Sequence, residues 1–298
     1  MNNDFLVQSG VSLSRLANLA KVIEAGGVSA ASGGDPSTQS LYSRQMGELE
    51  DALGKRLFTR DGRGRKPTIV AKQLATVYAA FSQSVGELIG DSQWRESVLR
   101  IGAGDSVYRW ILLPALQRVQ DRFPGIAFEF KNLRTQSVID QIQSGAVDIG
   151  IAEMRTMPSG INARDLRNLE FGLYYHLDTF GECDVGECLS RKKLIGLGGS
   201  GSYVRNCHNQ QGREGLEERF WLTFDSLPMI ANSMVQADAS AFLPIEMEGD
   251  LKEKGFECIK GPEMSDFCRK YSLLIDKYSS RIRRTVLDVS DALVDELG

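Results

Sequence analysis

Between positions 55 and 72 the sequence places Lys55, Arg56, Arg60, Arg63, Arg65, Lys66 and Lys72 against a single acid, Asp61. Guanidinium and ammonium groups at that density suit phosphate oxygens, which they neutralise with release of bound counterions. Immediately upstream lie Thr38, Gln39, Ser40, Ser43 and Arg44, hydrogen-bonding side chains of the kind that reach base edges and phosphates. Together the two groups point to double-stranded DNA, against the plainer alternative of a solvated charged turn. The net charge of -4 does not oppose this, because a nucleic-acid partner responds to local charge.

A second set of polar residues falls where apolar runs end: Gly104, Asp105 and Ser106; Leu133, Arg134 and Thr135; "GGSGS" from Gly198 to Ser202; and Phe224, Asp225 and Ser226. Ligands of α/β sheets sit beyond the carboxyl ends of strands, so these loops are candidates for a small-molecule site. Ser106, Thr135, Ser200 and Ser202 offer hydrogen bonds, and amides at helix starts favour an anion. Asp105 opposes a carboxylate ligand, which leaves neutral and cationic ligands open. Helix capping is the alternative role for each of these serines and aspartates.

Cys183, Cys188, Cys207 and His208 are ligand types that zinc prefers, but no second tight pair follows, so a metal-dependent or thiol-responsive regulator stands only as an alternative. The chain has five cysteines, all in its C-terminal half, an odd set that fits reduced thiols. Its two histidines, His176 and His208, leave little scope for histidine chemistry. "GLGGSGSYV" lacks the Gly-Lys-Ser/Thr ending of a phosphate loop, and "GAGDS" lacks a nucleophile elbow. No nucleophile, base and orienter come together, so no enzyme activity is expected.

The elements that must position these residues begin with a helix capped by Ser12, with Leu13, Leu16, Ala20 and Ile23 at helical spacing and a stop at Gly26 and Gly27. A short helix from Ser29 is broken by Gly33, Gly34, Asp35 and Pro36. A third starts near Ser37 or Thr38 and carries Tyr42, Met46, Leu49 and Leu53 as one buried stripe, which leaves Gln39, Ser40, Ser43 and Arg44 off it. "LFTR" and "KPTIV" flank the turn "DGRGR" as a hairpin wing. From Thr68 to Gly90 a longer helix repeats Leu74, Val77, Phe81, Val85 and Leu88 and needs a partner for that face.

Further on, "VLRIGAG", "IAFEFKN" and "AVDIGIAEM" alternate with the helices "WILLPALQRVQDRF" and "TQSVIDQIQSG", a β-α-β-α-β order that implies parallel strands. The pattern resumes with strands at "FGLYYHL", "KKLIGLG", "FWLTF" and "ASAFLP", a late strand "KYSLLID" and a terminal helix from Ser280 to Leu297. At 298 residues, 42% hydrophobic and 25% charged, the chain fits two or three soluble domains. No signal-like start or membrane-length apolar run is evident, so the cytoplasm is the expected location and no membrane partner is expected.

The order of helix, short helix, "TQSLYSRQMGELEDALGKRLFTR" and basic wing resembles the LysR-type transcriptional regulators, with "SRQ" at Ser43 to Gln45, Leu49 and Glu50, Leu53 and Gly54, and Leu57, Phe58 and Arg60 in the matching places. The resemblance implies a winged helix-turn-helix in which Thr38, Gln39, Ser40, Ser43 and Arg44 meet the groove while Arg60, Arg63, Arg65 and Lys66 anchor phosphates. It further implies a linker helix that pairs subunits into a homodimer or homotetramer. The C-terminal part would be a two-lobed α/β, periplasmic-binding-protein-like effector domain, with an unknown small-molecule effector, no cofactor, and contacts from Gly104, Asp105, Ser106, Arg134, Thr135, Ser200, Ser202 and Phe224. The expected division is a DNA-binding head at 1–67, the linker helix at 68–90, a hinge at 91–97 and the effector domain at 98–298. Lobe one would take about 98–167 and 271–298, and lobe two about 168–270. The rival from another class is a small-molecule binding protein or enzyme whose helical head serves only for assembly.

Overall fold

The computed structural model describes residues 10–61, 64–89, 97–154, 156, 158–190, 193–198, 220–261, 264 and 268–298. Ser12 caps helix α1 (Leu13–Glu24), its hydroxyl accepting from the Arg15 amide. The inward face of α1 is shifted from the one that the spacing suggests: Leu19 and Val22 are fully buried, Leu16 and Ile23 pack at their margin, and Leu13 is 58% exposed. Both the third helix and the linker helix pack on α1, and a face pressed from two sides is centred between them.

Helix α2 (Val28–Ala31) ends at Ser32, and Gly33 and Gly34 turn the chain at φ of 59° and 84°, a region that side chains resist. Asp35 then caps α3 (Pro36–Leu53), accepting from the Ser37 and Thr38 amides at 3.3 and 2.9 Å. The helix therefore begins at Pro36, ahead of Ser37, because proline in the first helical position forfeits no internal bond. What breaks α2 is also the start signal of α3. Hydrogen bonds from Thr38 and Ser37 hold the Asp35 carboxyl well below the usual carboxylate range, so the cap survives mild acid and is lost only as pH falls through that lowered value.

Met46 and Leu49 of α3 are buried, with Tyr42 and Leu53 packed at their margin. Gly54 ends the helix in the left-handed conformation. Strands β1 (Phe58–Asp61) and β2 (Gly64–Pro67) form an antiparallel hairpin. The Thr68 hydroxyl donates to the Arg56 carbonyl and accepts from the Ala71 amide, and so fastens the hairpin's base to the start of α4 (Ile69–Ile89).

Beyond it run β3 (Ser97–Ala103), α5 (Asp105–Val107), a π turn (Tyr108–Leu112), α6 (Leu113–Arg122), β4 (Ile126–Asn132), α7 (Thr135–Gln143), β5 (Ile149–Glu153) and β6 (Ile161–Leu169). The first helix of this part starts earlier than "WILLPALQRVQDRF" and contains the π turn. Pro114 has no N–H to give the Trp110 carbonyl, which accepts instead from Arg167 Nη2 at 2.6 Å. The chain then builds a second sheet from β7 (Phe171–His176), with α8 (Leu177–Phe180) and α9 (Val185–Ser190), β8 (Leu194–Leu197), β9 (Phe220–Phe224), α10 (Leu227–Ala237), β10 (Ser240–Pro244), α11 (Glu248–Lys252) and β11 (Phe256–Ile259). It returns through β12 (Arg269–Asp276) and ends, after a 3-10 turn at Ser279–Arg281, in α12 (Arg284–Leu297).

The sheet of lobe one has the order β4-β3-β5-β12-β6, and that of lobe two β11-β7-β10-β8-β9. Strands β3, β4 and β5 are parallel, whereas β12 runs against both β5 and β6. The start of β12 therefore lies at the same end of the sheet as the finish of β5. The lobes are joined by two passages, one at Glu170 and one between β11 and β12. Among the described residues no helix is long and apolar enough to cross a membrane.

Candidate functional site

Two places gather the polar residues singled out above. The first is the outer edge of α3. Gln39, Ser40, Ser43 and Arg44 are exposed, and Thr38, whose amide is used by Asp35, is half-buried. Arg44 Nε lies 3.7 Å from Glu48, whose other oxygen accepts from Arg15 of α1 at 2.6 Å, and Asn18 donates to Gln45 at 2.5 Å. These bonds fix the pitch of α3 on α1.

The hairpin presents Arg60, Arg65 and Lys66 to solvent, while Arg63 lies outside the described residues. Arg60 and Arg65 stand directly opposite one another across the strands, a like-charge pair that disfavours folding. A charge arrangement that costs stability calls for an anionic partner. The Arg65 guanidinium stacks over the Phe58 ring at 5.7 Å, and Phe58 is itself buried in the head's core.

Sequence reasoning assigned no role to Glu50, which sets the wing in place. It is buried near the end of α3, and its Oε1 accepts from the amides of Leu57 and Phe58 at 2.7 and 3.1 Å. The carboxylate thereby satisfies the two backbone donors at the root of β1 and joins wing to reading helix.

The second place is a cleft of about 560 Å³ between the lobes. Gly104, Asp105 and Ser106 line it after β3, Leu133, Arg134 and Thr135 after β4, Gly198 after β8, and Asp225 and Ser226 after β9. Phe224 does not line it; its side chain packs against the core, and its carbonyl accepts from the Gly198 amide at 2.8 Å. Ser200 and Ser202 lie outside the described residues. Glu153 at the end of β5, and Arg269 and Tyr271 at the start of β12, also line the cleft. Sequence reasoning did not find these.

Among the described residues two polar links cross the cleft. Ser226 Oγ donates to Asp105 Oδ2 at 2.5 Å, and Arg134 Nη2 lies 3.3 Å from Asp225 Oδ2. The second joins side chains that are 85% and 79% exposed, so water screens it and its contribution is small.

Tyr108 braces the rim from below. Its hydroxyl accepts from the Ala103 amide at 3.0 Å and lies 2.8 and 2.7 Å from the carbonyls of Ile101 and Lys131, one of which takes its proton. Burial pushes this phenol up to about 12, so the stability it adds is complete below the ordinary tyrosine value and is lost as pH rises through the raised one. Replacing Tyr108 with Phe strands a buried amide and is expected to cost about 1–3 kcal/mol in urea unfolding. An unaltered midpoint would show that water takes over these bonds.

Of the metal and thiol candidates, Cys183 is half-buried, Cys188 is buried and neither is in a disulfide. Cys207 and His208 lie outside the described residues. Among the described residues no group of His, Cys, Asp and Glu is placed to hold a metal ion.

Two family models match the chain. That of the bacterial regulatory helix-turn-helix protein, lysR family, covers residues 13–72, and that of the LysR substrate binding domain covers 93–297. Probable HTH-type transcriptional regulator LrrA of Synechococcus elongatus is 29% identical over 145 residues, 47% of this chain and 49% of that protein. HTH-type transcriptional regulator PecT of Dickeya dadantii is 33% identical over 116 residues, 38% of this chain and 37% of that one. The chain thus aligns with half or less of the length of these two curated relatives. Among solved structures, full-length LysG of Corynebacterium glutamicum, which has the effector Arg bound, superimposes with a TM-score of 0.72 at 15% identity over 96% of this chain and 99% of that one. ArgP of Mycobacterium tuberculosis gives 0.71 at 14% identity over 95% and 97%. At these identities the likeness is one of fold.

Proposed function

Because the chain belongs to the LysR family of bacterial transcriptional regulators, we propose that it binds double-stranded DNA sequence-specifically, in the cytoplasm, as a homodimer or homotetramer, and performs no catalysis. The head at 1–67 grips DNA, the helix at 68–90 pairs subunits, 91–97, of which 91–96 lie outside the described residues, serves as the hinge, and 98–298 senses a small molecule. The observation that carries this reading is the exposed edge Gln39, Ser40, Ser43 and Arg44 on a helix whose Glu50 holds the root of an arginine-bearing hairpin. Side chains near the start of the second helix of such a pair reach base edges, and the wing takes the phosphates.

The effector occupies the cleft. Its lining carries Asp105, Glu153 and Asp225 against Arg134 and Arg269, and Asp105 stands at the helix start where an anion would otherwise sit, which favours a neutral or cationic compound. An effector that prefers one arrangement of the lobes shifts the relative placement of the paired heads on DNA.

Mobility shifts across a salt series, on duplex from upstream of the protein's own coding region and on unrelated duplex, test the DNA assignment. The double variant Arg65→Ala/Lys66→Ala is expected to weaken binding alike on both and to flatten the log–log salt slope by about 0.9 for each phosphate contact removed. Gln39→Ala should change which sequence is preferred while keeping the slope. A wing variant with the parent's salt slope counts against the assignment.

A further inference from the structure

The linker helix α4 has two different faces. Gln73, Thr76, Ala80 and Ser84 follow at helical spacing along one of them, and Thr76 and Ala80 are buried. This face lies on lobe one, against α7 and the 3-10 turn at 279–281. A Cβ built on Gly145 would come within 2.7 Å of Thr76 Oγ1, and one on Gly160 within 3.0 Å of Gln73 Nε2. Ser84 Oγ lies between two carbonyl oxygens, that of Ala80 in its own helix at 3.0 Å and that of Ile282 at 3.3 Å. Gly145, Gly160 and Ile282 belong to three separate segments, all at the end of the lobe-one sheet remote from the cleft. Phe81, Val85 and Ile89 lie off this face and are exposed.

Next to Ile282, Arg283 donates through Nη1 to Asp148 Oδ1. The side chains are 10% and 5% exposed, and Asp148 also accepts from the Arg100 amide at 2.8 Å while its own amide donates to the Arg100 carbonyl at 2.9 Å. Asp148 immediately precedes β5, whose other end, Ile151 to Glu153, lines the cleft. One short strand therefore separates the effector cavity from a buried ion pair, and that pair adjoins the carbonyl on which the linker helix rests.

We propose that the Asp148–Arg283 pair is the joint that latches the linker helix to lobe one across the hinge proposed at 91–97, so that while the latch holds α4 and this lobe move as a single body when the lobes change their relative placement. Asp148 and Arg283 are then positioning residues: they touch neither DNA nor effector and act through the turn that bears Ile282. Burial gives the pair its stiffness, because removing either partner leaves the other charge uncompensated and the turn without its anchor. The regulatory meaning of the joint rests on the function proposed above, but its mechanical claim does not.

Small-angle scattering of the full-length chain tests the mechanical claim without DNA or effector, so a failure of DNA binding in the mobility shift leaves it untouched. Arg283→Met, which keeps the side chain's bulk, is expected to shift the radius of gyration to larger values at unchanged oligomeric mass. Tryptophan emission and thermal melting, to which buried Trp110 of lobe one contributes alongside Trp94 and Trp221, should stay as in the parent. A scattering curve that superimposes on the parent's overturns the proposal, and so does an expansion accompanied by loss of the folded tryptophan emission in every variant. Should Arg283→Met fail to fold, Ser84→Arg decides, since it wedges the helix off the turn without touching the buried pair. The same expansion with an intact lobe is expected, and its absence overturns the joint.

Discussion

Glu50→Ala is expected to abolish detectable DNA binding in a mobility shift while leaving the two-lobed part folded. Its carboxylate accepts from two buried backbone amides, those of Leu57 and Phe58, at 2.7 and 3.1 Å. Alanine takes away both bonds and brings no water in their place. Hydrogen bonds to a charged group are worth about 1.5–3 kcal/mol each, so the head stands to lose roughly 3 kcal/mol or more. Its core is small: Leu19, Val22, Met46, Leu49, Leu57, Phe58 and Ala71. Domains of this size have only about 5–10 kcal/mol in reserve, and the loss falls where β1 leaves the body of the head. Glu50→Gln, whose amide oxygen still accepts, should retain much of the binding. The Arg56 contact at 3.4 Å adds little, because that side chain is 80% exposed. Undiminished binding by the alanine variant would mean that the wing is held from elsewhere.

The second large effect concerns assembly. Phe81, Val85 and Ile89 form an exposed apolar stripe on α4, at 42%, 39% and 72% exposure, on a face that lobe one leaves uncovered. In a two-fold pair each side chain is buried twice, once from each subunit. Burying a fully exposed Phe or Val side chain contributes about 1.5–3 kcal/mol and about 40% of each is still exposed here, so Phe81→Lys/Val85→Lys forfeits roughly 2–5 kcal/mol over four side chains, about two to three powers of ten in the dimer constant, before the cost of burying the lysine charges. Sedimentation should find monomers at micromolar concentration. DNA affinity should fall with them, because linking two heads raises the second contact's effective concentration to about the millimolar range. A variant that sediments like the parent would place the subunit contact on another surface.

The sequence made the parallel part of lobe one plain, since β3, β4 and β5 are apolar runs separated by amphipathic helices. It hid β6 and β11. β6, "INARDLRNL", buries Ile161, Leu166 and Leu169 at irregular intervals among charged residues, because it is an edge strand covered on one side by α12. β11 is four residues long and also an edge. The cleft loops after β3, β4, β8 and β9 followed from the rule that ligands gather beyond carboxyl ends of parallel strands. That rule has nothing to say about Arg269 and Tyr271. They line the cleft because β12 runs the other way, and strand direction is set by pairing between residues more than a hundred positions apart. Glu50 escaped for a similar reason: its partners are amides, which leave no mark in the pattern of side chains. The face of α1 was legible only in part, at Leu16 and Ile23, because two neighbours claim it and periodicity alone resolves one.

Pro114 has a reach out of proportion to its size. By denying the Trp110 carbonyl an internal bond, it leaves an oxygen to which Arg167 attaches, and Arg167 stands near the end of β6 just before the chain passes to the second sheet at Glu170. Any other amino acid at that position would bring an N–H that competes with the guanidinium for this oxygen. One carbonyl of a lobe-one helix thus tethers the last residues of the strand that leads to the crossing at Glu170.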